Sequence, residues 1–82
     1  MKPAYLAKFH HNKDNSYTVT FPDLEGCITE GKDLKEALDM AADALGQWLA
    51  YLKDEGQEIP NASLDIDLGE SDTGHWIVPK EV

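Results

Sequence analysis

The tract Tyr17-Thr18-Val19-Thr20-Phe21-Pro22-Asp23-Leu24-Glu25-Gly26-Cys27, with an apolar stripe of helical period from Leu34 to Leu52 close behind it, leaves this chain few ways to fold. Tyr17, Val19 and Phe21 alternate with Ser16, Thr18 and Thr20, the period-two pattern of a strand with one buried face and one wet face. Pro22 cannot donate to a sheet ladder and Gly26 tolerates positive φ, so Pro22 to Gly26 ends that strand and aims the next. Cys27-Ile28-Thr29-Glu30 is then expected to be a short strand, and Gly31-Lys32 the break before a helix. Upstream, Tyr5, Ala7 and Phe9 alternate with Leu6, Lys8 and His10, giving a first strand whose aromatic face matches that of Tyr17, Val19 and Phe21. The polar run His11-Asn12-Lys13-Asp14-Asn15 reads as the hairpin loop between them.

Asp33 suits a helix N-cap, and Glu36 completes the capping-box pattern. Leu34, Ala37, Leu38, Ala41, Leu45, Trp48, Leu49 and Leu52 fall within a stripe roughly 120° wide, enough to cover a sheet. Lys35, Glu36, Asp39, Asp43, Lys53 and Asp54 point away from it. With Gly56 as the residue that ends it, the helix is about 22 residues and roughly 33 Å long. Gln57 to Asn61 is a Pro-containing connection. Ser63-Leu64-Asp65-Ile66-Asp67-Leu68 alternates like a strand, but its acids and the following Gly69-Glu70-Ser71-Asp72 suit a solvated loop, and a loop is the expectation. His75-Trp76-Ile77-Val78 reads as a strand, with Pro79 confining it to a sheet edge or a strand end. The order is β-β-β-α-β: an α+β fold, a small antiparallel sheet with one long helix across one face.

These residues resemble the HicB-like family of antitoxins from bacterial toxin-antitoxin pairs. The resemblance rests on Tyr17-x-Val19-x-Phe21-Pro22-Asp23-Leu24 with Gly26-Cys27, on the helix start Leu34-x-x-Ala37-Leu38 and on Trp48-Leu49, and it spans most of residues 4 to 60. The family usually carries Pro immediately before the Gly-Cys pair, where this chain has Glu25; the departure loosens the turn without altering the strand order. Many members continue into a helix-turn-helix or ribbon-helix-helix segment, whereas this sequence stops at Val82. Residues 1–82 are therefore expected to form a single domain with no separate DNA-binding domain. The resemblance implies a reduced RNase H-like fold, and as partner a small basic HicA-type ribonuclease toxin that cleaves RNA with a histidine.

Sixteen acidic against seven basic side chains set the formal charge at −9, so phosphate backbones are repelled and a basic partner is the natural complement. Residues 57 to 82 contribute Lys80 alone against Glu58, Asp65, Asp67, Glu70, Asp72 and Glu81, so no DNA binding by this chain alone is expected. A chain of this size buries only roughly 60 to 65% of its unfolded surface, and a homo-oligomer would help it. The single cysteine excludes an internal disulfide. Residues 1 to 9 lack the apolar run of a secretory signal and no segment approaches a membrane span, so a reduced, cytoplasmic protein is expected.

Catalysis finds no support. Asp23, Asp33, Asp65 and Asp67 are the carboxylates from which a nuclease's magnesium site would have to be built. In so acidic a chain most carboxylates are simply solvated, and Asp33 already caps a helix; the resemblance agrees, since the family's sheet lacks the nuclease's carboxylates. Adjacent His10 and His11 point to opposite sides of a strand, and with His75 they show no zinc-site spacing. Cys27, with no histidine paired to it, reads as a small buried side chain. No enzyme activity, cofactor or metal is expected.

What remains is surface for binding. Asp14, Asp23, Glu25 and Glu30, at turns and strand ends, are the candidate contacts to a basic toxin, standing where RNA phosphates would lie. Met40, Ala44 and Tyr51 share a second flank of the helix at about 240 to 280° on the wheel, either a widened core edge or a self-association contact. The sheet face opposite the helix carries Leu6, Thr18, Thr20 and Ile28, either wet or docking a partner. The alternative function is a stand-alone oligomeric domain that binds a protein or ligand without a toxin.

Overall fold

The period-two pattern of the N-terminal half becomes a hairpin in the computed structural model, which describes residues 4–61 and 72–80. Strand β1 (Tyr5–His11) buries Tyr5, Ala7 and Phe9 on one face and pairs antiparallel with β2 (Tyr17–Thr20), placing Phe9 opposite Val19 and His10 opposite Thr18. Between them the Asp14 carboxylate accepts from the Ser16 N–H at 3.1 Å and the Ser16 hydroxyl at 2.6 Å, while Asn15 takes a φ of 71°. Asn and Asp are the residues that stabilise such turns, through local side-chain bonds and tolerance of left-handed backbone.

Strand β3 (Ile28–Gly31) pairs antiparallel with β2, and β4 (Asp72–Ile77) pairs antiparallel with β1, so the sheet order is β3-β2-β1-β4. The β2–β3 connection sends one residue into the core while Pro22, Glu25 and Gly26 stay exposed. Leu24 donates to the Phe21 carbonyl and Cys27 to the Leu24 carbonyl, both at 2.9 Å, and these bonds fold Leu24 inward until it is 2% exposed. Gly26 closes the turn with a φ of 97°. β3 begins and ends one residue later than the expected span of 27 to 30, because Gly31 still pairs with Tyr17. Only glycine fits there: a Cβ on Gly31 would lie 2.4 Å from the Ala37 nitrogen.

Helix α1 (Leu34–Asp54) is 21 residues long. Asp33 caps it by accepting from the Glu36 N–H at 2.8 Å, whereas the Glu36 carboxylate reaches back to the Lys32 N–H, one residue before the cap. At the other end Gly56 donates to the Lys53 carbonyl and Gln57 to that of Leu52, with Gly56 at a φ of 68°. This is a Schellman closure, the ending expected of a glycine at that position.

Among the described residues Phe9, Leu24, Leu45 and Val19 are the largest fully buried side chains, joined by Tyr5, Ala7, Phe21, Cys27, Ala37, Ala41 and Ile77. Trp48 marks where the stripe leaves the sheet. It lies in the apolar stripe and packs against the core, but its ring also reaches the β2–β3 turn, where its edge sits 3.1 Å from where a Cβ on Gly26 would be. It is partly buried, as are Tyr17, Leu38, Leu49 and Leu52, and Leu34 is exposed. The helix runs back along β3 toward that turn, so its second half overruns the short strand.

β4 also begins earlier than expected, at Asp72, because this acid is tied to the sheet: its two carboxylate oxygens lie 2.6 Å from His10 Nδ1 and 3.4 Å from Lys8 Nζ. Beyond β4 the chain crosses one flank of α1. Lys80 donates its N–H to the Ala42 carbonyl at 3.0 Å, and its ammonium reaches Asp39 at 2.8 Å. The segment Ser63 to Leu68, expected as loop, and with it Asp65 and Asp67, lies outside the described residues. Among those described, no helix is long and apolar enough to cross a membrane.

Candidate functional site

The two flanks of α1 are finished differently among the described residues, and the difference leaves an exposed apolar surface on one of them. The flank bearing Asp39, Ala42 and Gly46 is closed by the chain's own C-terminal segment, so tightly that a Cβ on Gly46 would lie 2.4 Å from the Lys80 carbonyl oxygen. The opposite flank, bearing Met40, Ala44 and Tyr51, is the one singled out by the sequence. It looks outward over β3, an edge strand of the sheet. The order of contacts fixes the alignment: Ala37 lies over Gly31, the Ala44 carbonyl lies 4.0 Å from the Cys27 thiol, and Trp48 lies over Gly26. Between helix and strand runs a groove of about 350 Å³ floored by Cys27 and Ala44 and walled by Ile28, Gln47, Trp48 and Tyr51. Ile28 is 64% exposed, Tyr51 54% and Met40 38%. Trp48 and Tyr51 stand with ring centroids 5.9 Å apart, so the groove presents an aromatic wall. Of these residues, Gln47 and Trp48 were not placed at a contact surface by the sequence, and Ile28 was placed only on the sheet face opposite the helix, either wet or docking a partner; the strand edge that exposes it beside the helix is set by sheet order.

The four acids proposed as contacts separate into two groups. Asp14 and Glu30 meet at one end of β3, lining with Glu36 and Lys32 a second groove of about 330 Å³. The hydrogen bond from the Ser16 hydroxyl, before any other influence, holds the Asp14 carboxyl below the usual carboxylate range. It is ionised but already engaged within its own loop. Asp23 and Glu25 belong to the β2–β3 turn at the opposite end of β3. Asp23 stands close enough to Tyr5 to help burial, the larger cause, raise that phenol's pKa, while Glu25 is exposed. One copy of the chain does not bring all four together.

Among the described residues, the sheet face opposite α1 is more apolar at its β4 edge than the sequence suggested. Leu6 stands opposite Trp76, which is 50% exposed, and Val78 beyond it is 52% exposed. Farther along, Lys8, Asp72 and His10 form the ion-paired cluster, chiefly through the His10 contact that lowers the Asp72 pKa. His11 turns the other way and stacks on Tyr17, and His75 meets Phe9 edge-on. Among the described residues no three His, Cys, Asp or Glu side chains are gathered to hold a metal ion. Burial pushes the Cys27 thiol up to about 11, which keeps it protonated and a poor nucleophile at neutral pH.

Comparison with known proteins places this geometry. A family model described as a HicB-like antitoxin of bacterial toxin-antitoxin systems matches residues 5–78. The chain is 39% identical over 56 residues to UPF0150 protein Ta0767 of Thermoplasma acidophilum, covering 68% of this chain and 81% of that protein. It is 37% identical over 59 residues to Antitoxin HicB 2 of Photorhabdus laumondii subsp. laumondii, covering 72% of this chain and 42% of that protein. A solved structure titled as a toxin-antitoxin complex from Streptococcus pneumoniae superposes with a TM-score of 0.80 at 25% identity, over 98% of this chain and 70% of the solved one.

Proposed function

For a chain that belongs to the HicB-like antitoxin family, we propose that its task is to bind and neutralise a small basic toxin of the HicA ribonuclease type. The observation that carries this reading is the family match over residues 5–78, supported by the likeness over 98% of the chain to a protein solved in a toxin-antitoxin complex. The surface chemistry agrees with it. A formal charge of −9 gives the molecule a field that attracts a cationic partner and speeds its capture. A toxin that grips RNA must present basic side chains, and Asp14, Glu30 and Glu36 around one groove, with Asp23 and Glu25 at the far turn, offer carboxylates in place of phosphates. The role is one of occlusion rather than catalysis, since no described group is set up as nucleophile, base or metal ligand. Among the described residues no cationic stripe is arranged to hold DNA, and the chain is proposed to act on protein alone.

The test is co-expression with the short basic reading frame next to its gene. Rescue of growth and co-purification of the two products are expected. Absence of a basic neighbour, or toxicity unrelieved by the chain, would favour the stand-alone binding domain instead.

A further inference from the structure

Beyond Ile77, the one residue of β4 buried in the core, the chain cannot simply continue the sheet. Pro79 has no N–H to donate, and a proline holds the residue before it, here Val78, in extended backbone. Val78 and Pro79 therefore form a short stiff arm, and it lands on the middle of α1. The Lys80 N–H donates to the Ala42 carbonyl at 3.0 Å, taking the second lone pair of an oxygen that lies within the helical ladder. So close an approach needs a bare helix. Gly46 provides it: the residue is buried, and a Cβ there would lie 2.4 Å from the Lys80 carbonyl oxygen and 3.4 Å from the Lys80 nitrogen. From this position the Lys80 ammonium reaches Asp39 at 2.8 Å, and Asp43, which also accepts from Gln47 at 3.1 Å, adds its charge.

We infer that residues 78–80 are a strap that opens and closes on α1 as a unit of its own, with Gly46 as its seat and Lys80 as its latch. The seat is steric and allows a single placement. The latch is an ion pair between side chains 49% and 67% exposed, a kind that contributes little and is weakened by salt. One backbone hydrogen bond and one such pair hold the strap far less firmly than the core holds Leu45, the fully enclosed neighbour of the seat.

Opening leaves the rest of the fold intact. The β1–β4 register runs from Tyr5 opposite Ile77 to His10 opposite Asp72 and uses none of residues 78–80. An open strap bares the Ala42 carbonyl and Gly46 to water, which hydrates both, so the event belongs with the low-energy local openings of a native protein. Closed, the strap bolts the end of β4 to the middle of α1; open, it leaves β4 held chiefly by its ladder with β1. Ionic strength, acting on Lys80 and its two aspartates, then sets how tightly strand and helix are joined.

Residue-resolved hydrogen exchange of the full chain, followed with rising urea at low and at high salt, tests the inference. The Lys80 amide should exchange about ten- to a hundredfold more slowly than in an unstructured chain, at a rate indifferent to urea, while the Leu45 amide is far slower and speeds up with urea as opening of the whole fold requires. High salt should speed the Lys80 amide a few-fold. Lys80→Met and Asp39→Asn should each reach that faster rate at low salt and lose the salt response. Gly46→Ala should abolish protection at Lys80 while the far-ultraviolet spectrum stays native and Leu45 stays protected. A Lys80 amide that exchanges at the unstructured rate in the native chain, or that follows Leu45 in rate and urea dependence, overturns the inference. So does a rate indifferent to salt, Lys80→Met and Asp39→Asn alike, or Lys80 protection that survives Gly46→Ala. A Gly46→Ala chain that no longer folds also overturns it, since strap and fold would then be one unit.

Discussion

Cys27 and Gly46 show how much a single position can carry. Burial holds the Cys27 thiol at about 11, above the ordinary cysteine value, so the folded state keeps its proton more firmly than the unfolded state does. Its contribution to stability is therefore complete below the ordinary value of about 8.5 and is lost as pH rises from there toward the folded-state value. Native protein should react with a thiol reagent at pH 8 far more slowly than denatured protein, and Cys27→Ala should flatten the alkaline fall in denaturation midpoint. Equal labelling rates would contradict its burial. Gly46→Ala would raise helix propensity, yet its Cβ would lie 2.4 Å from the Lys80 carbonyl oxygen. The tail must move, and a loss of about 1 to 3 kcal/mol in urea unfolding is expected, against a small gain if the site were open. Cys27 was legible in the sequence as a small buried side chain. Gly46 was not, because a helix glycine says nothing about which distant segment crosses it.

At the scale of elements, α1 was legible from end to end because its signals are local: Asp33 and Gly56 bracket the stripe and cap it as their chemistry dictates. Asp33→Ala should cost about 0.5 to 2 kcal/mol in chemical denaturation, and an unmoved midpoint would mean that the cap bond does not stabilise the helix. The position of the stripe against the sheet was less legible, since periodicity gives an angle around the helix but not what lies beneath each turn. Trp48 falls over the Gly26 turn and keeps one side toward the groove, while Leu45 is fully enclosed. Leu45→Ala is therefore expected to cost about 2 to 5 kcal/mol, and Trp48→Ala less than the roughly 3 to 5 kcal/mol of a buried tryptophan. A reversed order, measured by urea midpoint, would place Trp48 at the centre of the core. Strand ends shifted for a similar reason: Asp72 looks like a loop residue until β1 supplies His10 and Lys8 as its partners.

For the whole molecule, sheet order decides which surfaces are left over, and it was the part least written in local sequence. Once β4 pairs with β1, β3 is left at the edge, and Ile28, Trp48 and Tyr51 line one groove rather than standing as scattered apolar positions. The Met40, Ala44 and Tyr51 flank had been visible on the helical wheel; its meeting with Ile28 had not. Charge, by contrast, was fully legible and governs what the molecule meets. Titration of labelled upstream DNA with the chain alone at physiological salt should give no sequence-dependent binding near the roughly 10⁻⁸ to 10⁻¹¹ M of specific repressors. Nanomolar binding would show cationic contacts that the described surface lacks. The most direct test of the antitoxin reading is to follow RNA cleavage by the co-encoded basic protein as the purified chain is titrated in, at low and at high salt. Cleavage should fall to nothing as the chain approaches stoichiometric amounts, with inhibition weakening as salt screens the acidic surface. Cleavage that continues undiminished at saturating chain would contradict it.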